Sequence, residues 1–151
     1  MRQPQNIHVY PFRKNTGGVY EYALFQRADD PKCWQGISGG VEAGETPAQA
    51  VLRESLEEAG IAGDVVLYRL DTVSYLPATL FTEHVRWGND VVVCPMYHFA
   101  MPYSGGITLS DEHTAVQWLE YRLAYDLVTW HDQKTALWEL NQRLLRGNLL
   151  R

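Results

Sequence analysis

The sequence has little of what marks secreted, membrane-bound or nucleic-acid-binding chains. Two cysteines, Cys33 and Cys94, occur in 151 residues and form no C-x-x-C motif, so we expect reduced thiols in a cytoplasmic protein, with a single bridge between them as the alternative. The longest apolar run, at 91–94, has the length of a strand and not of a membrane span. The N-terminus lacks the apolar core of a secretory signal. A net charge of −5 argues against a nucleic-acid polymer as partner.

The length and composition fit one ordinary globular domain. Hydrophobic residues make up 46% of the chain and charged residues 21%, which separates it from disordered sequences. No internal repeat, low-complexity tract or linker divides it. We therefore expect a single domain over residues 1–151, without a membrane partner.

Local patterns predict a mixture of strands and helices. We expect strands at 7–12, 19–27, 65–76, 90–100 and 115–120, turns at 14–18 and 28–36, a glycine-rich loop at Ser38–Glu45, and a helical tail from about Tyr121. The strands follow one another in mixed order with few helices between them. The pattern therefore favours an α+β fold, a mixed sheet with helices packed on it, over a doubly wound fold.

The clearest helix is predicted over Pro47–Ala59. Thr46 is a good N-cap, Pro47 suits the first helical position, and Gln49 can complete a capping box with Thr46. Gly60 stands where a left-handed residue ends a helix. At 100° per residue, the apolar positions predict a core face formed by Ala48, Leu52, Leu56 and Ala59.

Three acids, Glu54, Glu57 and Glu58, lie together on the side that we expect to face away from the core. Like charges at these spacings repel, and the helix dipole disfavours anions in the C-terminal half. A divalent cation, Mg²⁺ or Mn²⁺, would relieve both effects; a solvated acidic face is the alternative. The carbonyl of Gly39 offers a further oxygen ligand, and Glu45 is spaced to reach Arg53.

The segment from Gly39 to Ile61 resembles the Nudix box of pyrophosphohydrolases. The shared pattern is Gly39, five residues, Glu45, seven residues, and then Arg53-Glu54-Ser55-Leu56-Glu57-Glu58-Ala59-Gly60-Ile61. Ser55 stands where the family usually has an aliphatic residue, and we expect a modest packing loss there. The resemblance implies an α/β/α sandwich with a mixed sheet between helices. It also implies Mg²⁺-dependent hydrolysis of a nucleoside-diphosphate-linked substrate, with metal ligands Gly39, Glu54, Glu57 and Glu58.

The resemblance leaves the general base open. Some members of the family use the first glutamate of the triplet, which is Glu54 here, and others use a glutamate on a later loop. Glu112 follows the Gly105-Gly106 loop and is the candidate for the second arrangement, either as a base or as an additional metal ligand. An exposed loop acid is the alternative for Glu112. Arg53, with Glu45, is expected to orient the helix.

A looser, second resemblance concerns the substrate. The residues 25–27, 29–31 and 34–35, and parts of the tail, are similar to the branch that acts on dihydroneopterin triphosphate and dATP. Under this resemblance, Arg27 contacts phosphate, since a guanidinium suits bidentate contact with its oxygens. Lys32 and Lys134 either contact the triphosphate or are ordinary surface lysines. Trp34, next to Gln35, either stacks on the base or belongs to the core or its rim.

The sequence is compatible with three hypotheses about the substrate and the function. The substrate is a nucleoside or pterin triphosphate in the first reading, and a dinucleoside polyphosphate or an oxidised purine triphosphate in the second. A nucleotide-binding Nudix domain without catalysis is the third, although such a domain has no need of three clustered carboxylates. The five histidines show no zinc-binding spacing, and we expect them to be structural or surface residues. We expect a monomer or a homodimer.

Overall fold

The computed structural model describes residues 1–150, which form one seven-stranded sheet and four α-helices. The strands are β1 (Arg2–Lys14), β2 (Tyr20–Arg27), β3 (Trp34–Gln35), β4 (Ile37–Glu42), β5 (Tyr68–Pro77), β6 (Val93–Pro102) and β7 (His113–Glu120), and the helices are α1 (Pro47–Ala59), α2 (His84–Trp87), α3 (Tyr121–Leu127) and α4 (His131–Arg146). A short 3₁₀ turn covers Ala78–Leu80. None of the helices described is long and apolar enough to cross a membrane.

Strand β1 is the centre of the sheet. It pairs in antiparallel fashion with β2 and β4 and in parallel with β6, so that Val9 lies between Ile37 on one side and Phe99 on the other. The strand order is β3-β2-β1-β6-β5, with β4 added to β1 and β7 added to β2. The sheet is therefore mixed, as the sequence predicts.

Helices cover both faces of this sheet, which confirms the predicted sandwich. Helix α1 lies over a first core that contains Ile7, Val9, Ala23, Phe25, Ile37, Val41, Ala50, Val51, Ala59, Ile61, Phe99 and Met101. Helices α3 and α4 lie over a second core that contains Tyr10, Phe12, Tyr22, Leu24, Leu70, Ala100, Ala124, Val128, Ala136, Leu137 and Leu140. Alternate residues of β1 point to opposite faces, so Val9 belongs to the first core and Tyr10 to the second.

Several strand boundaries differ from the prediction. Strand β1 extends well beyond 7–12, because strands on both sides supply hydrogen bonds to it. These partners cannot be predicted from the weak alternation of apolar and polar residues in the segment itself. Strands β5 and β6 begin later than the predicted starts at 65 and 90, and β7 begins earlier than the predicted 115, at His113. The predicted turn at 28–36 contains the short strand β3, which pairs with β2.

The predicted glycine-rich loop at Ser38–Glu45 is wrong over most of its length, since it contains strand β4. Gly39 and Gly40 pair with Ile7 and Asn6 of β1. Glycine normally weakens a strand, and here it marks a close approach of other groups. A Cβ atom on Gly40 would lie 2.0 Å from the Arg2 side chain.

Helix α1 has the predicted ends but not the predicted core face. Thr46 and Gln49 form the capping box, and Gly60 adopts a left-handed conformation with φ of 66°. Ala48, Leu52 and Leu56 are exposed, whereas the buried residues are Ala50, Val51, Glu54, Ser55, Glu58 and Ala59. Small side chains bring this face close to the sheet, and two of the acids are buried with it. The prediction that all three acids face away from the core is therefore wrong for Glu54 and Glu58.

Ser55 is buried, and its hydroxyl has no hydrogen-bond partner within residues 1–150. Because an unpaired buried hydroxyl is destabilising, we expect Ser55→Ala to raise the free energy of unfolding by about 1 kcal/mol. The substitution should leave kcat unchanged, since the hydroxyl has no hydrogen bond to an acidic group that could be lost. Urea denaturation and steady-state kinetics test both expectations, and a lower free energy of unfolding would show that the hydroxyl is bonded in solution.

Candidate metal and active site

The guanidinium of Arg53 ties α1 to the preceding loop and to β4. Its Nε and Nη2 donate to the two carboxylate oxygens of Glu45 at 2.8 and 2.9 Å. Nη2 also donates to the backbone oxygen of Gly40, and Nη1 donates to Oε1 of Glu54 at 2.7 Å. Hydrogen bonding to Arg53 lowers the pKa of Glu45, and hydrogen bonding to Glu45 raises the pKa of Arg53, so both groups stay charged. The predicted contact between Glu45 and Arg53 is present.

Gly39 provides the space that the side chain of Glu54 occupies. A Cβ atom at position 39 would lie 2.3 Å from Cδ and 2.4 Å from Oε1 of Glu54. Burial raises the pKa of Glu54, the hydrogen bond from Arg53 opposes this rise, and the charges of Glu57 and Glu112 add to it. Any side chain at position 39 would displace this carboxylate.

Glu58 is the most buried acid of α1, with 4% of its surface exposed. Its Oε2 has no hydrogen-bond partner in the described part of the chain. Burial raises the pKa of Glu58 to about 10, and hydrogen bonding with Glu112 and the charge of Glu54 add to this rise. The backbone N–H of Ser38 opposes the rise, because it favours the anion. A cation placed against this group would favour its ionised form.

The loop before β7 brings Glu112 to these acids. The backbone N–H of Ala28 donates to the carbonyl oxygen of Glu112 at 2.9 Å, and the backbone N–H of Ser110 donates to that of Glu58 at 3.3 Å. The loop is thereby held against the ends of β2 and α1. The exposed side chain of Glu112 lies close enough to Glu54 and Glu58 to raise the pKa of each.

The carboxylates are near one another but are not arranged as a finished metal cage. Glu57 is exposed, and its Oε2 lies 3.5 Å from Nη1 of Arg53. Within residues 1–150, no group of three or more His, Cys, Asp or Glu side chains is gathered tightly enough to hold a metal ion. The donor set nevertheless fits a hard divalent cation, because it offers several carboxylate oxygens and one of them, on Glu58, is buried and unpaired.

Two of the predicted phosphate contacts, Arg27 and Lys32, lie at the end of strand β2 and in the turn that follows it. Arg27 ends strand β2 and makes two hydrogen bonds to Asp29, at 2.8 and 2.6 Å. The backbone N–H of the next residue, Ala28, donates to the carbonyl oxygen of Glu112. Arg27 is therefore close in space to Glu112, although the two are far apart in the sequence. Lys32 is exposed in the turn that follows.

The other predicted substrate contacts are engaged within the fold. The half-buried ring of Trp34 packs against the second core. Gln35 is buried, and its Nε2 donates to the hydroxyl of Ser38 at 3.0 Å. The Nζ of Lys134 donates to the backbone oxygen of Tyr125 and lies 5.0 Å from the centre of that ring. To contact a phosphate, Lys134 would have to leave helix α3.

One group of polar residues was not predicted. His8 and His98 form a buried pair on the second face of the sheet, with ring centroids 5.2 Å apart. Asn6, His8 and Tyr10 alternate along β1, a period-two pattern that is visible in the sequence. Their meeting with His98 depends on the parallel pairing of β1 with β6, which local patterns do not reveal.

Comparisons with known proteins agree with this geometry. The family model described as NUDIX domain matches residues 3–138. A crystal structure of a Listeria monocytogenes protein described as a NUDIX hydrolase superposes with a TM-score of 0.85 and 36% sequence identity, and the match covers 97% of each chain.

Two enzymes show similar sequences. Dihydroneopterin triphosphate diphosphatase of Escherichia coli K12 is 33% identical over 125 residues, which cover 79% of each chain. The asymmetrical bis(5'-nucleosyl)-tetraphosphatase of Sus scrofa is 31% identical over 128 residues, which cover 82% of this chain and 80% of that enzyme. The two relatives carry the names of different substrates, so the likeness reaches the reaction class and not one substrate.

Proposed function

Because the chain belongs to the Nudix family, we propose that it is a Mg²⁺-dependent pyrophosphohydrolase of a nucleoside or pterin triphosphate. The reaction class follows from the family: the protein is a Nudix hydrolase, an enzyme of phosphoric anhydride bonds. The proposed substrates are dihydroneopterin triphosphate and dATP, cleaved to the monophosphate and pyrophosphate. The observation that carries the proposal is the buried, unpaired carboxylate oxygen of Glu58 within the acidic group.

The family generally uses a divalent metal, typically Mg²⁺. In this chain the proposed ligands are the carbonyl of Gly39 and the carboxylates of Glu54, Glu57, Glu58 and Glu112, with Mn²⁺ as a possible substitute. When bound, the cation neutralises diphosphate charge and makes a bound water more acidic. The contribution of Arg53 is to hold the carboxylate of Glu54 close to β4, since its guanidinium bonds to Glu54 and to the backbone oxygen of Gly40.

Two carboxylates are proposed to take the proton from the attacking water. Glu54 is oriented by Arg53 and by the space at Gly39, which favours a fixed position. Glu112 is exposed, so its carboxylate is accessible to a water molecule from solvent. Separate Gln variants distinguish them, because only loss of the base should remove the acidic limb of the pH profile of kcat/KM.

The end of strand β2 and the turn that follows it are the proposed phosphate contact. Arg27 has a guanidinium that can exchange Asp29 for phosphate oxygens of similar geometry. Lys32 adds a second positive charge on the exposed turn. We assign weaker roles to Gln35, Trp34 and Lys134, since each already has a partner within the fold.

A substrate panel tests the function. Purified protein is incubated with Mg²⁺ and dihydroneopterin triphosphate, dATP, diadenosine tetraphosphate or an oxidised purine triphosphate in ¹⁸O-labelled water, and the products are identified by mass. We expect pyrophosphate and a monophosphate from dihydroneopterin triphosphate or dATP, and no turnover after treatment with EDTA. Preferred cleavage of diadenosine tetraphosphate would show that the proposed substrate is wrong, whereas the reaction class of the family would stand. Absence of turnover on every member of the panel would favour a domain that only binds nucleotides.

A further inference from the structure

The start of strand β4 is held by polar side chains that the proposed chemistry does not use. Gln35 is buried, and its Nε2 donates to the hydroxyl of Ser38 at 3.0 Å. The thiol of Cys33, which is also buried, donates to Oε1 of Gln35 with a sulfur–oxygen distance of 3.8 Å. The amide of Gln35 is therefore bonded at both ends, which fixes its orientation.

The turn between Gln35 and Ser38 is also fixed from two other directions. The backbone N–H of Gly36 donates to Oε1 of Gln133, a buried residue of α4, at 2.8 Å. A Cβ atom on Gly36 would lie 2.7 Å from the backbone oxygen of Val9, so the turn lies directly against β1. The entry into β4 is therefore held by α4, by β1 and by the side chain of Gln35.

Ser38 is the point at which this turn contacts the acidic group. Strand β4 pairs with β1 along one edge. Residues 38 and 40 are two positions apart, so their backbone groups point to the same edge of the strand. The N–H of Ser38 donates to the carboxylate of Glu58, and the carbonyl oxygen of Gly40 accepts from Arg53. The position of Ser38 is thus transmitted directly to Glu58.

Glu54 and Glu58 are held in different ways. The carboxylate of Glu54 accepts from the cationic Arg53 at 2.7 Å. Glu58 accepts from a neutral backbone N–H, and its Oε2 has no partner within residues 1–150. A neutral donor orients a carboxylate without offering it a counter-charge. The unpaired oxygen of Glu58 therefore stays available to a cation.

We propose that Gln35 and Ser38 are positioning residues for the divalent cation. The amide of Gln35 holds the hydroxyl of Ser38, the backbone N–H of Ser38 holds Glu58, and Glu58 contacts the cation. This inference rests on the proposed function for the cation itself. In this role Gln35 acts through Ser38 and does not contact the cation. Without the hydrogen bond between Gln35 and Ser38, the cation would have to order the Glu58 carboxylate itself, at a cost in affinity.

A double-mutant cycle, measured as cation affinity, tests the proposal. Gln35→Met keeps an unbranched side chain and removes the amide, and Ser38→Ala removes the hydroxyl. Calorimetric titration of the substrate-free protein with Mn²⁺ gives the dissociation constant. We expect an increase of about tenfold in each single variant, as is typical for partners of metal ligands. The double variant should show no further increase, because both residues act through one hydrogen bond.

Steady-state kinetics provide an independent measurement. The Mg²⁺ concentration that gives half-maximal kcat should rise by the same factor in Gln35→Met and Ser38→Ala. The KM for dihydroneopterin triphosphate or dATP at saturating Mg²⁺ should change less than about twofold, since the positioning role concerns the cation. A rise in this KM with an unchanged Mg²⁺ requirement would show that Gln35 contacts the substrate directly and would overturn the proposal.

Two controls separate positioning from a general loss of stability. Ser38→Thr keeps the hydroxyl and should retain the wild-type Mn²⁺ affinity within about twofold. Thr72→Val removes a hydroxyl that donates to Glu139 at 2.7 Å on β5, at the edge of the sheet opposite to β3. It should lower thermal stability and leave the Mn²⁺ affinity unchanged. If Gln35→Met does not fold, the comparison of Ser38→Ala with Ser38→Thr decides the test.

The outcomes also separate this inference from the proposed function. Lower stability with unchanged Mn²⁺ affinity in Ser38→Ala would assign a structural role and overturn the proposal, while the metal-dependent function would stand. Losses of affinity that add in the double variant would show that the two residues act separately, which also overturns it. Mn²⁺ binding that depends on Gln35 and Ser38 would support the positioning role even if no triphosphate were hydrolysed. A wild type that binds no Mn²⁺ would overturn both.

Discussion

Replacing Glu58 by glutamine is expected to lower kcat by about 10²- to 10³-fold and to leave the protein folded. The substitution keeps the shape of the side chain and removes the negative charge that a divalent cation would contact. Because Glu58 is buried and its pKa is raised to about 10, the neutral amide should be tolerated at least as well as the carboxylate in the metal-free protein. The free energy of unfolding without metal should therefore stay the same or rise.

Three measurements check this prediction: kcat at saturating Mg²⁺, the heat of Mg²⁺ binding without substrate, and urea unfolding in EDTA. Glu42→Gln is the matched control, since Glu42 is an exposed glutamate of β4 outside the acidic group. It should resemble the wild type in all three. Near wild-type kcat in Glu58→Gln would remove Glu58 from the metal site. Glu57→Gln is also expected to lower kcat by orders of magnitude, with an even smaller effect on folding because Glu57 is exposed.

Replacing Arg53 by lysine is expected to lower kcat by about 10- to 100-fold although the positive charge is retained. Arg53 bonds to Glu45, Gly40 and Glu54 from different edges of one planar group. A lysine ammonium is a point charge and cannot reproduce that fork. Glu54 would lose its orientation, and the free energy of unfolding should fall by about 1–2 kcal/mol, a modest value because the guanidinium is partly exposed.

The control for this variant is Arg13→Lys. Arg13 also pairs with a glutamate, Glu21, at 3.0 Å and lies over the ring of Trp118, but it is distant from the acids along β1. It should lose a little stability and no activity. If Arg53→Lys lowers stability and leaves kcat and the Mg²⁺ affinity intact, the role of Arg53 is confined to holding the loop and the helix together.

The sequence was sufficient to predict the helix of the site and its ends. Thr46, Gln49 and Gly60 act through local geometry, so their residue types alone define where α1 begins and ends. The contact of Glu45 with Arg53 was also predictable, because the helix fixes the distance between them. Local rules of this kind depend on the neighbouring residues and on little else.

The orientation of α1 could not be predicted in the same way. Hydrophobicity placed Leu52 and Leu56 in the core, and the structure exposes them, with 43% and 54% of their surface accessible. The sheet instead receives small residues together with Glu54 and Glu58. Glycines of β4 accommodate the acid, and this contact exists only when two segments are already side by side. A prediction from periodicity assumes that the apolar face of a helix is the buried one. At this site charged residues are buried instead, so the prediction fails.

The buried pair of His8 and His98 could not be predicted for a related reason. The histidines show no zinc-binding spacing along the chain. Their significance comes from the pairing of β1 with β6, which places His8 beside His98 although the whole α1 region lies between them in the sequence. The alternation of Asn6, His8 and Tyr10 was visible, but nothing local distinguishes an unpaired polar face from a solvated one.

The position of β1 has a consequence for biosynthesis. The strand is synthesised well before its parallel partner β6, which follows only at Val93–Pro102. Until then one side of the nascent strand has unsatisfied amide and carbonyl groups, and the chain cannot complete its hydrogen-bond ladder. Closing so large a loop is entropically slow, so folding should be late and largely post-translational. A transcript truncated before that point would yield an aggregation-prone fragment, not a smaller working enzyme.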